Sequence, residues 1–307
     1  MIRLHALRIE LRILCELYLV PGLCIFMPWS IGYRWLRLCA RWNWLFEPEW
    51  RASLNEAQRW VDIGDPQEWA RRYRIYRLVD HADYWLSRTR SRRWLARHVD
   101  AQTSWPLARQ AAVGVFFHWS GGMWAVRSLH AAGPSSAVLA GHYSKRAMGH
   151  SWLGYFYGFL RLSELARAGG RPLIFSPGSV KKALAELKAS NWVIGTPDVP
   201  PTETRLAKPV QLFGRPALFV DGLLRIARDG QVPVVVFTLA FDIHSGRREL
   251  RISGPFDAQD PQLLQHIASY WQGLLEEQSW AFGLWPAMPA WFSQAETAEG
   301  SAAAAQP

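Results

Sequence analysis

Val113-Gly114-Val115-Phe116-Phe117-His118-Trp119-Ser120-Gly121-Gly122 is the segment from which the fold of this chain can be inferred. A β-branched and aromatic run closed by small residues reads as a buried strand that feeds the turn opening a helix. That geometry puts the imidazole of His118 at the carboxyl edge of a sheet, where a side chain meets substrate and helix-start amides point at it. A histidine there either satisfies a core hydrogen bond or acts as a base. The Ser-Gly-Gly that follows favours the base.

Working downstream, strand-like runs recur at 113–118, 136–140, 172–175, 192–196 and 232–240, with a further candidate at 247–253. Helix-like stretches lie between and after them at 122–132, 145–168, 179–190, 216–229 and 260–278, with Ser179 as an N-cap and Asn191 as a stop. This alternation predicts an α/β fold, a mainly parallel central sheet flanked by helices. Trp192-Val193-Ile194-Gly195-Thr196-Pro197-Asp198-Val199-Pro200-Pro201 is a second apolar strand ending in a turn. Its Asp198 should emerge at the same sheet edge as His118. The carboxylate then either caps its own turn or holds the imidazole tautomer and balances an imidazolium.

Upstream, Leu17 to Gly32 is apolar between Arg3, Arg8 and Arg12 on one side and Arg34, Arg37 and Arg41 on the other. Glu10 and Glu16 precede the run and no small-x-small site ends it, which argues against a cleaved signal peptide. Interrupted by Pro21 and Pro28, and short of the roughly 20 apolar residues of a spanning helix, it reads as an embedded or interfacial helical membrane anchor over 1–45. Spanning is the second reading. Residues 46–110 form a basic helical region in which Arg71, Arg72, Arg74, Arg77 and Arg88 to Arg97 interleave with tyrosines and tryptophans. Residues 111–294 make up the α/β domain, and 295–307 an Ala-, Glu- and Ser-rich disordered tail.

The 307-residue chain carries a net charge of +10 and 18 tryptophans, a composition suited to anionic headgroups and membrane interfaces. Basic-aromatic interleaving also suits nucleic acid. No nucleic-acid motif accompanies it, and nucleic acid is not expected as a partner. Cys15, Cys24 and Cys39 lack C-x-x-C spacing and suggest neither a disulfide framework nor a zinc site. Gly149-His150-Ser151-Trp152-Leu153 approaches the nucleophile elbow of a serine hydrolase but ends in Leu and lacks a preceding strand.

In order and spacing, the segments at 116–122 and 192–200, Leu212-Phe213-Gly214-Arg215-Pro216-Ala217, Ala227-Arg228-Asp229-Gly230 and Val232 to Phe237 resemble the bacterial lysophospholipid acyltransferase superfamily. Within it, the likeness is to the lipid A late acyltransferase branch, over roughly residues 10 to 285. The resemblance implies acyl transfer from a thioester, on acyl carrier protein or coenzyme A, to a hydroxyl or amine of a lipid, glycolipid or lipid-like acceptor. It implies no metal or organic cofactor, and a place on the cytoplasmic face of a bacterial inner membrane. His118 matches the family histidine, and the turn Ser120, Gly121 and Gly122 would supply oxyanion amides. Gly214, Arg215 and Pro216 resemble the acceptor-side block, with Arg205 and Lys208 as further anion-binding candidates.

The acid expected four residues beyond the histidine is Met123, which cannot balance an imidazolium. Three readings follow: Asp198 replaces the acid, His118 acts alone on a reactive donor, or the chain is a non-catalytic adaptor holding an acyl chain or acyl carrier. The basic cluster expected after Trp280 to Pro286 is missing, and the arginine expected near Ala140-Gly141-His142 has only Lys145 and Arg146 nearby. Both departures point away from a bisphosphorylated lipid A acceptor and toward another lipid, a polyene or a natural-product intermediate.

Overall fold

The computed structural model describes residues 2–101, 104–107, 110–119, 122–141, 151–175, 178–201 and 207–292. The tail assigned to 295–307 lies outside them.

Its centre is a sheet of β1 (Val99–Ala101), β2 (Val113–Val115), β3 (Ser136–Ala140), β4 (Ile174–Phe175), β5 (Trp192–Gly195), β8 (Val234–Phe241) and β9 (Arg248–Phe256). Across the sheet these run β1-β9-β8-β2-β5-β3-β4. Pairing is parallel except between β8 and β9. The expected mainly parallel α/β architecture is what the chain adopts. In β8, Val-Val-Val-Phe-Thr-Leu-Ala-Phe is buried at every position, as a strand covered on both faces must be.

Helices α6 (Gly122–Ala131) and α7 (Trp152–Gly169) connect β2 to β3 and β3 to β4, moving toward the β4 edge. Helices α8 (Ser179–Lys188) and α9 (Gly222–Gly230) lie on connections that return toward β8. Right-handed crossovers therefore place the first two on one face and the second two on the other. In agreement, α6 packs along α7 and α8 along α9. The direction of winding reverses between the strands β2 and β5. That is the topological switch point at whose carboxyl side open α/β sheets bind ligands.

Three sequence expectations need correction. The helix expected over 216–229 begins only at Gly222. Residues Arg215–Val220 are instead β7, the second strand of an antiparallel hairpin with β6 (Ala207–Leu212). The turn is made by Phe213 and Gly214, both left-handed at φ 51 and 69. A phenylalanine in that conformation is a poor turn signal. Ser179 is the first residue of α8 and not its cap; Gly178, left-handed at φ 82, precedes it with no side-chain cap.

The third correction concerns the second reading of the anchor, a membrane span. No helix among the described residues is long and apolar enough to cross a membrane. The segment begins as α1 (Ile2–Ile13), passes through a π turn (Leu14–Leu19) and a 3-10 turn (Leu23–Phe26), and restarts as α2 (Trp29–Cys39) after Pro28. One side of it belongs to the core: Cys24, Trp29, Tyr33, Leu36 and Cys39 are buried. Trp29 Nε1 donates to the Gly246 carbonyl at 2.9 Å, and the Tyr33 hydroxyl donates to that of Ile243. Helices α3 (Glu47–Ala57), α4 (Pro66–Thr89) and α5 (Arg92–Ala96) continue this layer, and α4 packs on α6 and α7. Helix α10 (Leu263–Glu277) packs against β6.

Candidate active site

Gly114 explains why β2 sits where it does. A methyl group there would come within 2.9 Å of Phe237 and 3.0 Å of Ile194, so only glycine lets β8 and β5 close on this strand. Phe116 continues the line, its N–H donating to the Gly195 carbonyl at 3.0 Å. His118 thus leaves the sheet beside the end of β5, whose own continuation carries Asp198.

The two residues meet. Asp198 Oδ2 accepts the backbone N–H of His118 at 2.6 Å, and its Oδ1 lies 3.0 Å from His118 Nδ1. Asp198 is 0% exposed, whereas the imidazole is 45% exposed. A carboxylate is acceptor-only, so Nδ1 carries the proton in this contact and the lone pair falls on Nε2. One carboxylate therefore holds both the backbone and the Nδ1 of a ring that is half exposed. The expectation that Asp198 emerges beside His118 is met by the geometry.

Gly122 opens α6 directly beneath this strand end. A Cβ there would lie 2.7 Å from Phe116 Cε1, so the helix start is pressed against the strand that bears the histidine. Met123, at the position of the absent family acid, is buried in the first turn of the same helix. Ser120 and Gly121 lie outside the described residues, as do Arg205, His142, Lys145 and Arg146.

The remaining candidates are placed elsewhere. Gly214, Arg215 and Pro216 sit at the turn of the β6–β7 hairpin, opposite the end that follows the Asp198 loop. The Arg215 guanidinium lies over the rings of Trp60 and Phe292, at 5.3 and 5.1 Å. Lys208 pairs with Asp221 at 2.9 Å, a carboxylate that also holds Arg228. Ser151 is no elbow nucleophile: its hydroxyl caps α7 by accepting from Gly154 N at 2.9 Å, and it donates to Glu10 at 3.0 Å.

Much of the basic-aromatic region also turns inward. Tyr73, Arg74, Tyr76 and Tyr84 are buried in α4. Arg71 and Arg72 pair with Glu68, whose carboxyl their hydrogen bonds pull down to about 2. Arg88, Arg92, Arg93 and Arg97 remain exposed. Among the described residues no group of three or more His, Cys, Asp or Glu side chains is arranged to hold a metal ion.

One surface feature lies apart from every residue predicted from the sequence. Trp152, Phe156 and Phe159 are exposed along one stripe of α7. Their spacing of four and then three residues, the signature of a helix face, is visible in the sequence. No protein-family model and no curated protein sequence matches this chain.

Proposed function

We propose that this protein is an acyltransferase of the lysophospholipid acyltransferase type, acting at the cytoplasmic face of a bacterial inner membrane. It would move an acyl group from an acyl carrier protein or coenzyme A thioester to a hydroxyl or amine of a lipid-like acceptor. The observation that carries the reading is the grip of buried Asp198 on both the backbone and the Nδ1 of half-exposed His118, at the switch point of the sheet.

The chemistry follows from that grip. His118 Nε2 takes the proton of the acceptor hydroxyl or amine as its oxygen or nitrogen attacks the thioester carbonyl. Asp198 stabilises the imidazolium so formed, as a buried carboxylate on Nδ1 does in hydrolase triads. Amides at the start of α6, where Gly122 permits close approach, stabilise the tetrahedral oxyanion. The C–S bond then breaks, and the leaving thiolate recovers the proton from His118 as free thiol. Asp198 occupies the role left open by Met123, from a neighbouring strand.

The test uses purified protein in detergent, acyl-labelled carrier and coenzyme A donors, and a total lipid extract. Wild type should transfer label to a lipid-soluble product, and His118→Ala should lose about 10²–10⁴-fold of the rate. Activity surviving in His118→Ala overturns the mechanism. A folded wild type that moves label from neither donor favours the adaptor reading. Met123→Glu should give no gain, because Nδ1 is already held; a large gain would remove Asp198 from its role.

A further inference from the structure

The outer face of α7 is built as an aromatic surface on a rigid support. Trp152, Phe156 and Phe159 are 66%, 54% and 56% exposed, while the opposite side of the helix buries Gly154, Tyr157, Glu164 and Ala168. The first turn is held by Glu10, which accepts from Trp152 N at 2.7 Å and Leu153 N at 3.1 Å. The Tyr18 hydroxyl donates to the Leu153 carbonyl at 2.8 Å. Large aromatics at this density on a well-tied helix are not a fraying end.

The stripe runs into an apolar groove of about 540 Å³ between α7 and β4, which Phe159 and the half-exposed Phe175 both line. Strand β4 is the edge of the sheet, so this groove opens outward. Past this edge, on the other face of the sheet, α8 packs against β4 and presents Lys181 and Lys182 to solvent in its first turn. The acids of these two helices, Glu164 and Glu186, are both tied up in ion pairs, with Arg127 and Arg167 and with Arg171.

We infer that this face docks onto an anionic lipid bilayer, the stripe entering the headgroup–acyl boundary. Three features select that occupant. Tryptophan and phenylalanine on one helix face are the side chains that settle at a membrane interface. The chain carries a net charge of +10, and a cationic surface is attracted by anionic leaflets. A second copy would bring together two chains of net charge +10, which repel. The inference gives a named face to the membrane attachment proposed above, and its assay contains no acyl donor. It therefore stands or falls separately from acyl transfer.

The experiment is flotation of the full chain with vesicles of phosphatidylcholine alone, or of equal parts phosphatidylcholine and phosphatidylglycerol. Wild type should float with the anionic vesicles. Trp152→Ser/Phe156→Ser/Phe159→Ser should lower the bound fraction by about tenfold or more, with an unchanged thermal melt because the side chains are exposed. A triple variant that floats like wild type overturns the inference. So does a wild-type dimer, seen by light scattering, that the triple substitution dissolves while wild type fails to float.

Discussion

Two aspartates in this molecule each hold a nitrogen base, and they differ in what the surroundings leave open. Asp83 on α4 pairs with Arg248 at the start of β9, the two side chains 2% and 0% exposed. The Arg248 guanidinium is also clasped between Trp29 at 4.0 Å and Trp124 at 4.4 Å. Nothing can reach this pair, and it ties the N-terminal layer, α6 and the sheet into one core. Asp198 is as deeply buried, yet the ring it holds is half in solvent. The carboxylates share a setting, but the groups they hold differ in access to solvent. A pair sealed on both sides can only position; a pair sealed on one side can pass a proton outward.

Asp198→Asn should break the comparison most sharply if it is wrong. The amide oxygen still accepts the His118 backbone N–H, but a neutral amide cannot balance an imidazolium. Acyl transfer should fall about 10²–10⁴-fold, with the melting curve little changed. Full activity in this variant would leave the two pairs equivalent. The sealed pair should show the reverse pattern. Arg248→Leu leaves a buried carboxylate without its partner and should cost about 3–5 kcal/mol by urea titration. Adding Asp83→Leu should recover most of that loss, since an apolar pair replaces a buried ionic one. Replacing both His118 and Asp198 should abolish activity without a comparable loss of stability.

The same contrast explains what could be read from the sequence. His118 and Asp198 stand 80 positions apart, yet both end apolar runs, and parallel strands deliver such ends to one edge. Their meeting was legible for that reason. The Asp83–Arg248 pair was not, because an arginine between two indoles leaves no periodic trace in either β9 or α4. The hairpin β6–β7 was also hidden. Its turn uses a left-handed Phe213, and the alternation of β6 includes Pro209 and Lys208. The N-terminal run was legible only in part, because its apolar residues divide between a core-facing side and exposed positions such as Leu19, Leu23 and Phe26. Strand β1, three residues long, is too short to carry a pattern.

Glu16 is another buried carboxylate, and its surroundings differ from those of both aspartates. It accepts the Phe46 N–H at 2.5 Å, and its nearest cation, Arg12, is 3.7 Å away. Burial outweighs both and pushes its carboxyl from 4.5 up to about 7. The folded chain therefore holds this proton more tightly than the unfolded chain. Between pH 4.5 and about 7 the native state binds more protons, so Glu16 makes stability decline as pH rises through that window. The decline amounts to at most about 3 kcal/mol at higher pH. Glu16→Gln keeps an oxygen for Phe46 and removes the titration. Urea titrations at about pH 5 and pH 8 should show the variant gaining stability on wild type at the higher pH. An equal difference at both would mean that the raised carboxyl is not what limits the fold there.

The smallest expected effect tests whether the open pair depends on the helix that begins beneath it. Alanine at Gly122 would place a methyl 2.7 Å from Phe116 Cε1 and 3.0 Å from its Cζ. The Phe116 ring is buried and lies 5.3 Å from that of Phe237, so it cannot swing away without disturbing β8. The start of α6 must yield instead, at about 1–3 kcal/mol of stability. If the helix start supplies the oxyanion amides, moving it should lower the rate of acyl transfer by more than that stability loss leaves unfolded. Thioester donor affinity should change little, since the displaced amides act most strongly on the tetrahedral state. A variant that loses stability and keeps its full rate per folded molecule would confine catalysis to the Asp198–His118 pair and leave α6 a purely structural neighbour.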